Sequence, residues 1–254
     1  MSLAGRGAVV TGGGRGIGAA VARALAEAGA GVLVAARTRA EVDAVALALR
    51  AQGHRAGATV ADVTRPEGVQ ALVRAAREQL GDVDILVNNA GSASSAPLKR
   101  TTLDEWNRLL AVNATSTFLC TQAFLPGMLE RRWGRIVNVA SIAGLEGARY
   151  IAAYSAAKHA VVGFTRSVAA EVEGSGVTAN AVCPGYVDTA LTGGTLDRIV
   201  ETTGKSRADA LAAVLAHAGQ PRLITPDEVA GVVLRLCAGM DNGAAIPMDG
   251  RGPA

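Results

Sequence analysis

The chain has 254 residues, of which 50% are hydrophobic and 19% are charged, and its formal net charge is +3. This length and composition predict a globular protein with a large core and argue against a disordered chain. The Lys and Arg residues are scattered, and no basic run predicts binding to nucleic acid or to an anionic membrane. Neither a signal peptide nor a membrane-spanning run is recognisable, so the sequence predicts a cytoplasmic protein.

The cysteines and histidines show no spacing typical of metal ligands. Cys120, Cys183 and Cys237 lie far apart and among apolar residues. This pattern predicts buried, reduced thiols and neither a disulfide nor a metal cluster. We therefore expect no metal site.

Apolar runs typical of β-strands alternate with helical stretches along the whole chain. The predicted strands are GAVVTG, GVLVAA, AGATVAD, DILVNNAG, RIVNVAS, VTANAVCPG and AAIPMDG. The predicted helices cover residues 17–29, 39–52, 66–80, 103–130 and 152–173. Strands that are apolar on both faces and separated by helices indicate a parallel sheet covered on both sides. The sequence predicts an α/β fold: a single doubly wound Rossmann domain over residues 1–254, with a seven-stranded, mostly parallel sheet.

Four Thr–Glu pairs mark predicted helix starts. In a capping box the Thr hydroxyl accepts from the amide three residues on, and the Glu carboxylate accepts from the Thr amide. The pairs are Thr38/Glu41, Thr64/Glu67, Thr102/Glu105 and Thr225/Glu228.

Residues 186–222 break the alternation of strands and helices. They contain two short amphipathic pieces, residues 196–202 and 207–218. The predicted hinges are Gly193, Gly194 and Gly204. This insertion follows the sixth strand, at the carboxyl edge of the sheet, where ligands bind in such folds. We interpret it as a lid over a substrate pocket; the alternative is a plain surface excursion.

The sequence TGGGRGIG, residues 11–18, joins the first strand to the first helix. Glycines there allow a tight turn and let backbone amides at the helix N-terminus approach a pyrophosphate. The spacing is longer than the usual GxGxxG, and turns use glycine for other reasons, but the place between strand and helix favours a dinucleotide site. The candidate cofactor residues here are Gly12, Gly14, Arg15, Gly16, Ile17 and Gly18.

The end of the second strand indicates which cofactor is bound. An acidic side chain there would bind the ribose 2′-hydroxyl of NAD, but the strand ends in AAR, at Arg37. Arg37 and Arg15 are placed to converge on a 2′-phosphate, which favours NADP over NAD. The alternative is that Arg37 is a solvated loop residue. Asp62 and Val63, after the third strand, are candidate contacts of the adenine.

Tyr154 and Lys158, in the sequence YSAAK, place a phenol and an ammonium on one face of a predicted helix, one turn apart. A free tyrosine has a pKa of about 10 and holds its proton too tightly to act as a base at neutral pH. A neighbouring ammonium favours the phenolate, so we expect Lys158 to lower the pKa of Tyr154 and make it a general acid/base. The alternative is a half-buried tyrosine beside a surface lysine.

Together, these motifs resemble those of the short-chain dehydrogenase/reductase family. They are TGGGRGIG, NNAG (residues 88–91), Asn113, Ser141, YSAAK and PGYVDT (residues 184–189), in the family order over essentially the whole chain. The resemblance implies an NAD(P)-dependent oxidoreductase that interconverts a ketone and a secondary alcohol. It also implies that the catalytic residues are Asn113, Ser141, Tyr154 and Lys158.

The resemblance further implies a role for each of these residues. Ser141 holds the substrate oxygen, although a serine in its position is by itself more often a helix cap. Asn113 bends its helix and holds a water next to Lys158, which bonds the nicotinamide ribose. The implied wall beside this ribose includes Asn88. The other implied cofactor residues are Asn89, Ala90, Gly91, Tyr154, Lys158, Pro184, Gly185, Val187 and Thr189, and the implied substrate residues are Ser141, Ala143, Tyr154 and Tyr186.

The substrate is the least determined feature. Several segments resemble 3-oxoacyl reductases, polyketide ketoreductases and 3-hydroxybutyrate dehydrogenases. Enzymes of the last group carry polar side chains for a free carboxylate, where this chain has Ala93, Ala143 and Ile151. Polyketide enzymes have a glycine-rich patch after NNAG, where this chain has SASSAP. We therefore expect a 3-oxoacyl thioester or a similar bulky ketone, with the other two types as alternatives.

The resemblance also implies a homotetramer, built by the last strand and by the helices after the fourth and fifth strands. Ala156, Ala160 and Gly163 would suit close helix packing across such an interface, although packing within one subunit is the alternative. The C-terminus, AAIPMDGRGPA, departs from the family pattern and keeps only Met248-Asp249-Gly250 of it.

A function of another class is an NADP-binding sensor without turnover. Such proteins usually lose the tyrosine or the lysine, so the complete set of catalytic residues favours an enzyme.

Overall fold

A computed structural model describes residues 2–252, and its centre is a seven-stranded sheet with helices on both faces. The strands are β1 (Gly7–Thr11), β2 (Gly31–Ala36), β3 (Ala56–Val60), β4 (Ile85–Asn88), β5 (Gly134–Val139), β6 (Val177–Pro184) and β7 (Ala245–Met248). The helices are α1 (Gly16–Glu27), α2 (Arg39–Ala51), α3 (Pro66–Leu80), α4 (Leu103–Leu110), α5 (Ser116–Glu130), α6 (Ala152–Glu171), α7 (Ala190–Thr203), α8 (Arg207–His217) and α9 (Pro226–Ala238).

The strand order is β3-β2-β1-β4-β5-β6-β7, and every neighbouring pair is parallel. The order reverses at β1, because β2 and β3 lie on one side of it and β4 to β7 on the other. In doubly wound sheets, ligands bind at the carboxyl edge beside this switch point. The predicted Rossmann-type fold is confirmed, with all strand pairs parallel.

The core consists of two apolar layers, one on each face of the sheet. Val10 of β1 packs in a layer that includes Leu25 of α1 and Leu236 of α9. The next residue back, Val9, points the other way and packs in the layer that contains Leu72 of α3. All five of these side chains are fully buried, and burying such a side chain stabilises the fold by about 1.5–3 kcal/mol. The alternation within each strand therefore fixes which helices cover which face.

Two of the four predicted capping boxes correspond to hydrogen bonds in the structure. At the start of α9, the Thr225 hydroxyl accepts from the Glu228 amide at 3.2 Å, and the Glu228 carboxylate accepts from the Thr225 amide at 2.8 Å. At the start of α4, the Thr102 hydroxyl accepts from the Glu105 amide at 3.1 Å. The Glu105 carboxylate instead accepts from the Arg108 guanidinium, so this box is only half formed.

The other two predicted boxes are wrong. Thr38 is the N-cap residue of α2, but its side chain makes no capping hydrogen bond, and Glu41 pairs with Arg15 instead. Thr64 lies one residue before the N-cap of α3, and its hydroxyl donates to the Asp62 carboxylate at 2.7 Å. In both cases a residue outside the helix binds a side chain of the predicted box. Arg15 pairs with Glu41, and Asp62 accepts a hydrogen bond from Thr64.

The predicted helix over residues 103–130 is continuous but contains one wide turn. A π-helical turn, Ala111–Thr115, joins α4 to α5, and Asn113 lies at its centre. Such turns are rare and occur often at functional sites.

The segment over residues 186–222 contains α7, which begins six residues before the predicted piece 196–202, and α8, which agrees with the predicted piece 207–218 to within one residue. Gly204 separates them in the left-handed conformation, with φ of 69°, which glycine adopts without strain. The predicted hinge at Gly193 and Gly194 is wrong, because α7 already begins at Ala190 and includes both residues.

Within residues 2–252, every helix is too short or too polar to span a bilayer. The same residues contain no group of three or more His, Cys, Asp or Glu side chains placed to hold a metal ion. Cys120, Cys183 and Cys237 are buried and unpaired.

Candidate active site

The loops after β1 and β4 hold each other at the switch point of the sheet. The Thr11 hydroxyl oxygen accepts hydrogen bonds from the amides of Asn89 and Ala90, both at 3.1 Å. The Asn89 side-chain amide donates to the carbonyls of Thr11 and Gly12, both at 3.0 Å. These four bonds fix the glycine-rich turn against the loop that carries NNAG.

The glycine-rich turn has the features that a pyrophosphate requires. Gly12 has φ of 63°, and a Cβ on it would lie 2.9 Å from the Cα of Ala90. Helix α1 begins at Gly16 with no side-chain cap and no acidic residue in its first turn, so its N-terminal amides face the cleft without competition from a side chain. Amides and helix dipole together bind anions at such a position. The turn therefore fits the diphosphate of a dinucleotide.

Gly18 has a packing role in this turn. A Cβ on Gly18 would lie 2.3 Å from the carbonyl oxygen of Gly12. The residue lets α1 lie close to the turn, but it does not line the cleft.

The ends of β2 and β3 bring several charged side chains to the far end of the cleft. Arg37, Thr38 and Glu41 line it together with Arg15 of the glycine-rich turn. The Arg15 guanidinium lies 3.3 Å from the Glu41 carboxylate. On the β3 side, hydrogen bonds from Thr64 lower the pKa of Asp62, which also lines the cleft.

Three hydrogen bonds hold the side chain of Asn113, which lies in the π-helical turn. Its side-chain amide donates to the carbonyls of Leu109 and Ser92, both at 2.9 Å, and its Oδ1 accepts from the Ser92 amide at 3.3 Å. A Cβ on Gly91 would lie 2.8 Å from this Oδ1 and 3.6 Å from the Nζ of Lys158. Glycine at 91 thus leaves room for the side chains of Asn113 and Lys158, which flank it.

Lys158 is buried, with 5% of its surface exposed. Its ammonium donates to the carbonyl of Val139, at the end of β5, at 2.9 Å, and lies 5.8 Å from the centre of the Tyr154 ring. Burial lowers the pKa of Lys158 to about 8, because the charged form loses its hydration. The tyrosine and lysine of YSAAK are therefore adjacent, as their spacing predicts.

The expected lowering of the Tyr154 pKa is wrong for the chain by itself. Burial is the largest influence and raises the pKa, while a hydrogen bond with Ser141 acts in the opposite direction. Tyr186 and Cys183 raise the pKa further. The phenol is thus protonated at neutral pH, which suits a proton donor.

Ser141 lies two residues after β5, at the carboxyl edge. Its hydroxyl oxygen accepts from the amide of Ala143 at 3.1 Å, so it also caps the short turn that follows. The hydroxyl is 3.4 Å from the carbonyl of Pro184, at the end of β6. Ser141 thus connects the neighbouring strand ends directly beside Tyr154.

The structure brings most of the residues predicted from the sequence to one cleft. Those that line it are Gly12, Gly14, Arg15, Gly16, Ile17, Arg37, Asp62, Val63, Asn89, Ala90, Gly91, Asn113, Ser141, Tyr154, Lys158, Pro184, Gly185, Val187 and Thr189.

Besides Gly18, three predicted residues do not line this cleft. Ala143 lies in the turn capped by Ser141, and Tyr186 packs against the apolar cluster of α7 and α8. Asn88 is buried inside the sheet and donates to Asn138 and Thr121. The contacts of Asn88 and Tyr186 are made with distant segments, which their own sequence does not reveal.

Several lining residues were not predicted, and they include Thr38, Glu41, Thr64, Ser92, Val112, Leu191 and Thr192. Thr38 and Leu191 could have been predicted from their position at the start of a helix that follows a strand. In a doubly wound sheet, such helix starts lie at the carboxyl edge, where ligands bind.

Comparison with known proteins agrees with this geometry. Residues 6–199 match the family model described as short chain dehydrogenase. D-beta-hydroxybutyrate dehydrogenase of Cupriavidus necator is 38% identical over 203 residues, which cover 78% of this chain and 79% of that protein. The 3-oxoacyl-(acyl-carrier-protein) reductase FabG of Vibrio cholerae is 39% identical over 238 residues, covering 94% and 92%.

Solved structures give the same result. A variant of actinorhodin polyketide ketoreductase in complex with NADPH has a TM-score of 0.91 and 35% identity, with 96% of each chain covered. Levodione reductase has a TM-score of 0.91 and 30% identity, with 97% of each chain covered. The fold, the cleft and the relatives agree, and the chain therefore belongs to the short-chain dehydrogenase/reductase family of nicotinamide-dependent oxidoreductases.

Proposed function

We propose that this protein is an NADP-preferring ketoreductase that interconverts a 3-oxoacyl thioester, or a ketone of similar size, and the secondary alcohol. The proposal is carried by one observation, the convergence of Asn113, Ser141, Tyr154 and Lys158 on the cleft that begins at the glycine-rich turn.

Tyr154 is the proton donor in this proposal. When bound, the nicotinamide cofactor supplies the hydride for reduction and accepts it in the reverse direction. Tyr154 donates its phenol proton to the carbonyl oxygen as negative charge develops there, which completes the secondary alcohol. Its raised pKa keeps this proton in place at neutral pH before the reaction. Ser141 donates a second hydrogen bond to the same oxygen and stabilises its charge.

Lys158 and Asn113 assist Tyr154 in this proposal. The Lys158 ammonium stabilises the phenolate that Tyr154 becomes after it has given up its proton, because the two groups lie close together in a poorly solvated site. Asn113 holds the backbone of Ser92 and borders the Lys158 ammonium across Gly91. The resemblance gives Asn113 a water that links Lys158 to solvent.

The preference for NADP is supported by the charges at the end of β2. No carboxylate follows this strand directly, and Arg37 lines the cleft there together with Arg15. Guanidinium groups bind phosphate oxygens in a bidentate manner. The related polyketide ketoreductase was crystallised with NADPH.

The preference for a thioester or bulky ketone is supported by apolar residues where a free carboxylate would require polar ones, and by one apolar residue of the cleft. Ala93, Ala143 and Ile151 offer no side chain for a free carboxylate. Leu191, at the start of α7, lines the cleft and has 49% of its surface exposed, so it is available to an apolar substrate. We interpret α7 and α8 as the substrate lid.

Three further expectations from the sequence stay predictions. They are the single domain, the homotetramer and the cytoplasmic location.

The similarity to D-beta-hydroxybutyrate dehydrogenase favours a second candidate, a dehydrogenase of a short free hydroxy acid. The two candidates differ in whether the substrate carries a free carboxylate.

A steady-state assay tests the proposal. The panel contains acetoacetyl-CoA as a 3-oxoacyl thioester, free acetoacetate and a bulky cyclic ketone, each with NADPH and with NADH. We expect the highest kcat/KM for acetoacetyl-CoA with NADPH. A preference for free acetoacetate would support the second candidate, and NADPH binding without turnover of any ketone would indicate a sensor.

A further inference from the structure

The N-terminus of α2 lies at the cofactor cleft and has an unusual partner. Glu41 is the residue that would complete a capping box with Thr38, yet its carboxylate lies 3.3 Å from the Arg15 guanidinium. A Cβ on Gly14 would lie 2.8 Å from the Cβ of Glu41, so this side chain packs directly on the glycine-rich turn. Glu41 and Arg15 both line the cleft.

This placement affects the recognition of a 2′-phosphate. The proposed phosphate ligands are the guanidinium groups of Arg15 and Arg37. Because the Glu41 carboxylate contacts the Arg15 guanidinium, a phosphate that also binds Arg15 would lie close to Glu41. The carboxylate would then repel the phosphate and compete with it for Arg15. A ribose with a free 2′-hydroxyl carries no such charge and meets no such repulsion.

We propose that Glu41 is a specificity-determining residue that limits the preference for NADP over NAD. It does so by holding Arg15 and by placing a negative charge beside the position of the 2′-phosphate. The inference rests on the proposed NADP function, because it assumes that Arg37 and Arg15 bind this phosphate.

The test is a fluorescence titration of the purified full chain with NADPH and with NADH, which measures affinity without turnover. Glu41→Gln keeps the size of the side chain and removes its charge. We expect it to lower the Kd for NADPH by about tenfold and to leave the Kd for NADH unchanged within about twofold. Glu41→Ala, which removes the whole carboxylate group, is expected to shift the ratio of the two Kd values in the same direction.

Asp43→Asn is the matched control. Asp43 lies on the same helix and pairs with Arg39 at 3.7 Å, but it does not line the cleft. This variant changes the net charge by the same amount and should leave both Kd values unchanged. Because Arg15 and Glu41 are partly exposed, the effect of Glu41→Gln should shrink as salt screens the charges.

An unchanged or reduced preference for NADPH in Glu41→Gln would overturn the inference, and so would an equal effect of Asp43→Asn. Arg37→Ala separates this failure from that of the proposed function. If Arg37→Ala weakens NADPH binding while Glu41→Gln changes nothing, only the role of Glu41 is lost. If Arg37→Ala leaves NADPH binding unchanged, the proposed 2′-phosphate site fails, and the role of Glu41 fails with it.

Discussion

The two edges of the sheet each contain a buried charged side chain, and the partners of these two side chains differ. At the amino edge, the Asp84 carboxylate lies 3.6 Å from Arg6 and 3.5 Å from Arg131, and it accepts a hydrogen bond from the Gly7 amide at 3.1 Å. At the carboxyl edge, Lys158 is equally buried, but within residues 2–252 it has no carboxylate partner within 4.0 Å. Two guanidinium groups thus neutralise the Asp84 carboxylate, whereas the Lys158 ammonium donates to the carbonyl of Val139.

A second buried charge of the amino edge is Arg135, at the start of β5. The guanidinium groups of Arg6 and Arg135 both stack on the Trp133 ring, at 3.7 and 4.5 Å from its centre. Arg135 also donates to the carbonyls of Gly134, Gly176 and Gly239. Nearly every donor of this buried side chain has a partner, so the cluster stabilises the fold.

The comparison shows that burial alone does not distinguish a structural charge from a functional one. The difference lies in the partners. Lowering the pKa of Lys158 from 10.5 to about 8 corresponds to a cost of about 3 kcal/mol in folding at neutral pH. This cost is not offset by a carboxylate. We therefore assign a stabilising role to the amino edge and propose that the chemistry takes place at the carboxyl edge.

The largest expected effect is that of Lys158→Met, which removes the unpaired ammonium. Turnover should fall by about 100-fold or more, while the free energy of unfolding at pH 7 should rise by about 1–3 kcal/mol. The lowered pKa means that the folded chain binds fewer protons than the unfolded chain between pH 8 and 10.5. The free energy of unfolding of the wild type therefore rises across this window. The difference in this free energy between the variant and the wild type should then disappear.

Denaturant unfolding at several pH values and a ketone assay measure both effects. The control is Lys99→Met, since Lys99 is exposed in the described structure. A loss of stability in Lys158→Met without loss of turnover would reverse the assignment of the two edges.

Asp84→Asn should have the second largest effect, this time on stability. It removes the charge that Arg6 and Arg131 share, and breaking such a pair costs about 3 kcal/mol. The kcat/KM of the folded enzyme should stay unchanged, because Asp84 lies at the edge away from the cleft. Urea unfolding measures the change, with Asp82→Asn as the control. Asp82 is exposed, and among residues 2–252 its one ion pair is with Arg131, so its loss should cost less than about 0.5 kcal/mol.

The smallest expected effect concerns two helix N-termini that look alike in sequence. Thr225→Ala removes a formed cap at α9 and should lower the free energy of unfolding by about 1 kcal/mol. Thr38→Ala at α2 should change it by less than about 0.5 kcal/mol, because the Thr38 side chain makes no capping bond. Equal losses in thermal or urea unfolding would show that the predicted box at α2 does form in solution.

The sequence predicted what depends on local pattern. The alternation of strands and helices, the glycine-rich turn and the one-turn spacing of Tyr154 and Lys158 are all encoded in short windows. The fold class follows from them, because doubly wound sheets bring strand ends to one edge.

The sequence did not reveal what depends on contacts between distant segments. Glu41 pairs with Arg15 of another loop, so its local capping pattern was misleading. The direction of the Tyr154 pKa shift depends on burial by surrounding segments, which outweighs the nearby charge that the spacing suggested. Tyr186 belongs to the cluster of α7 and α8 because these helices fold back on it.

The central claim is that Tyr154, at the carboxyl edge of the sheet, donates its phenol proton to the carbonyl oxygen of the substrate. The most direct measurement is single-turnover oxidation of NADPH by Tyr154→Phe with the best ketone of the panel, alongside NADPH titration of the same variant. The account predicts that NADPH binding is retained while the rate falls by about 100- to 10,000-fold. A variant that binds NADPH and reduces the ketone at a rate close to that of the wild type would contradict it.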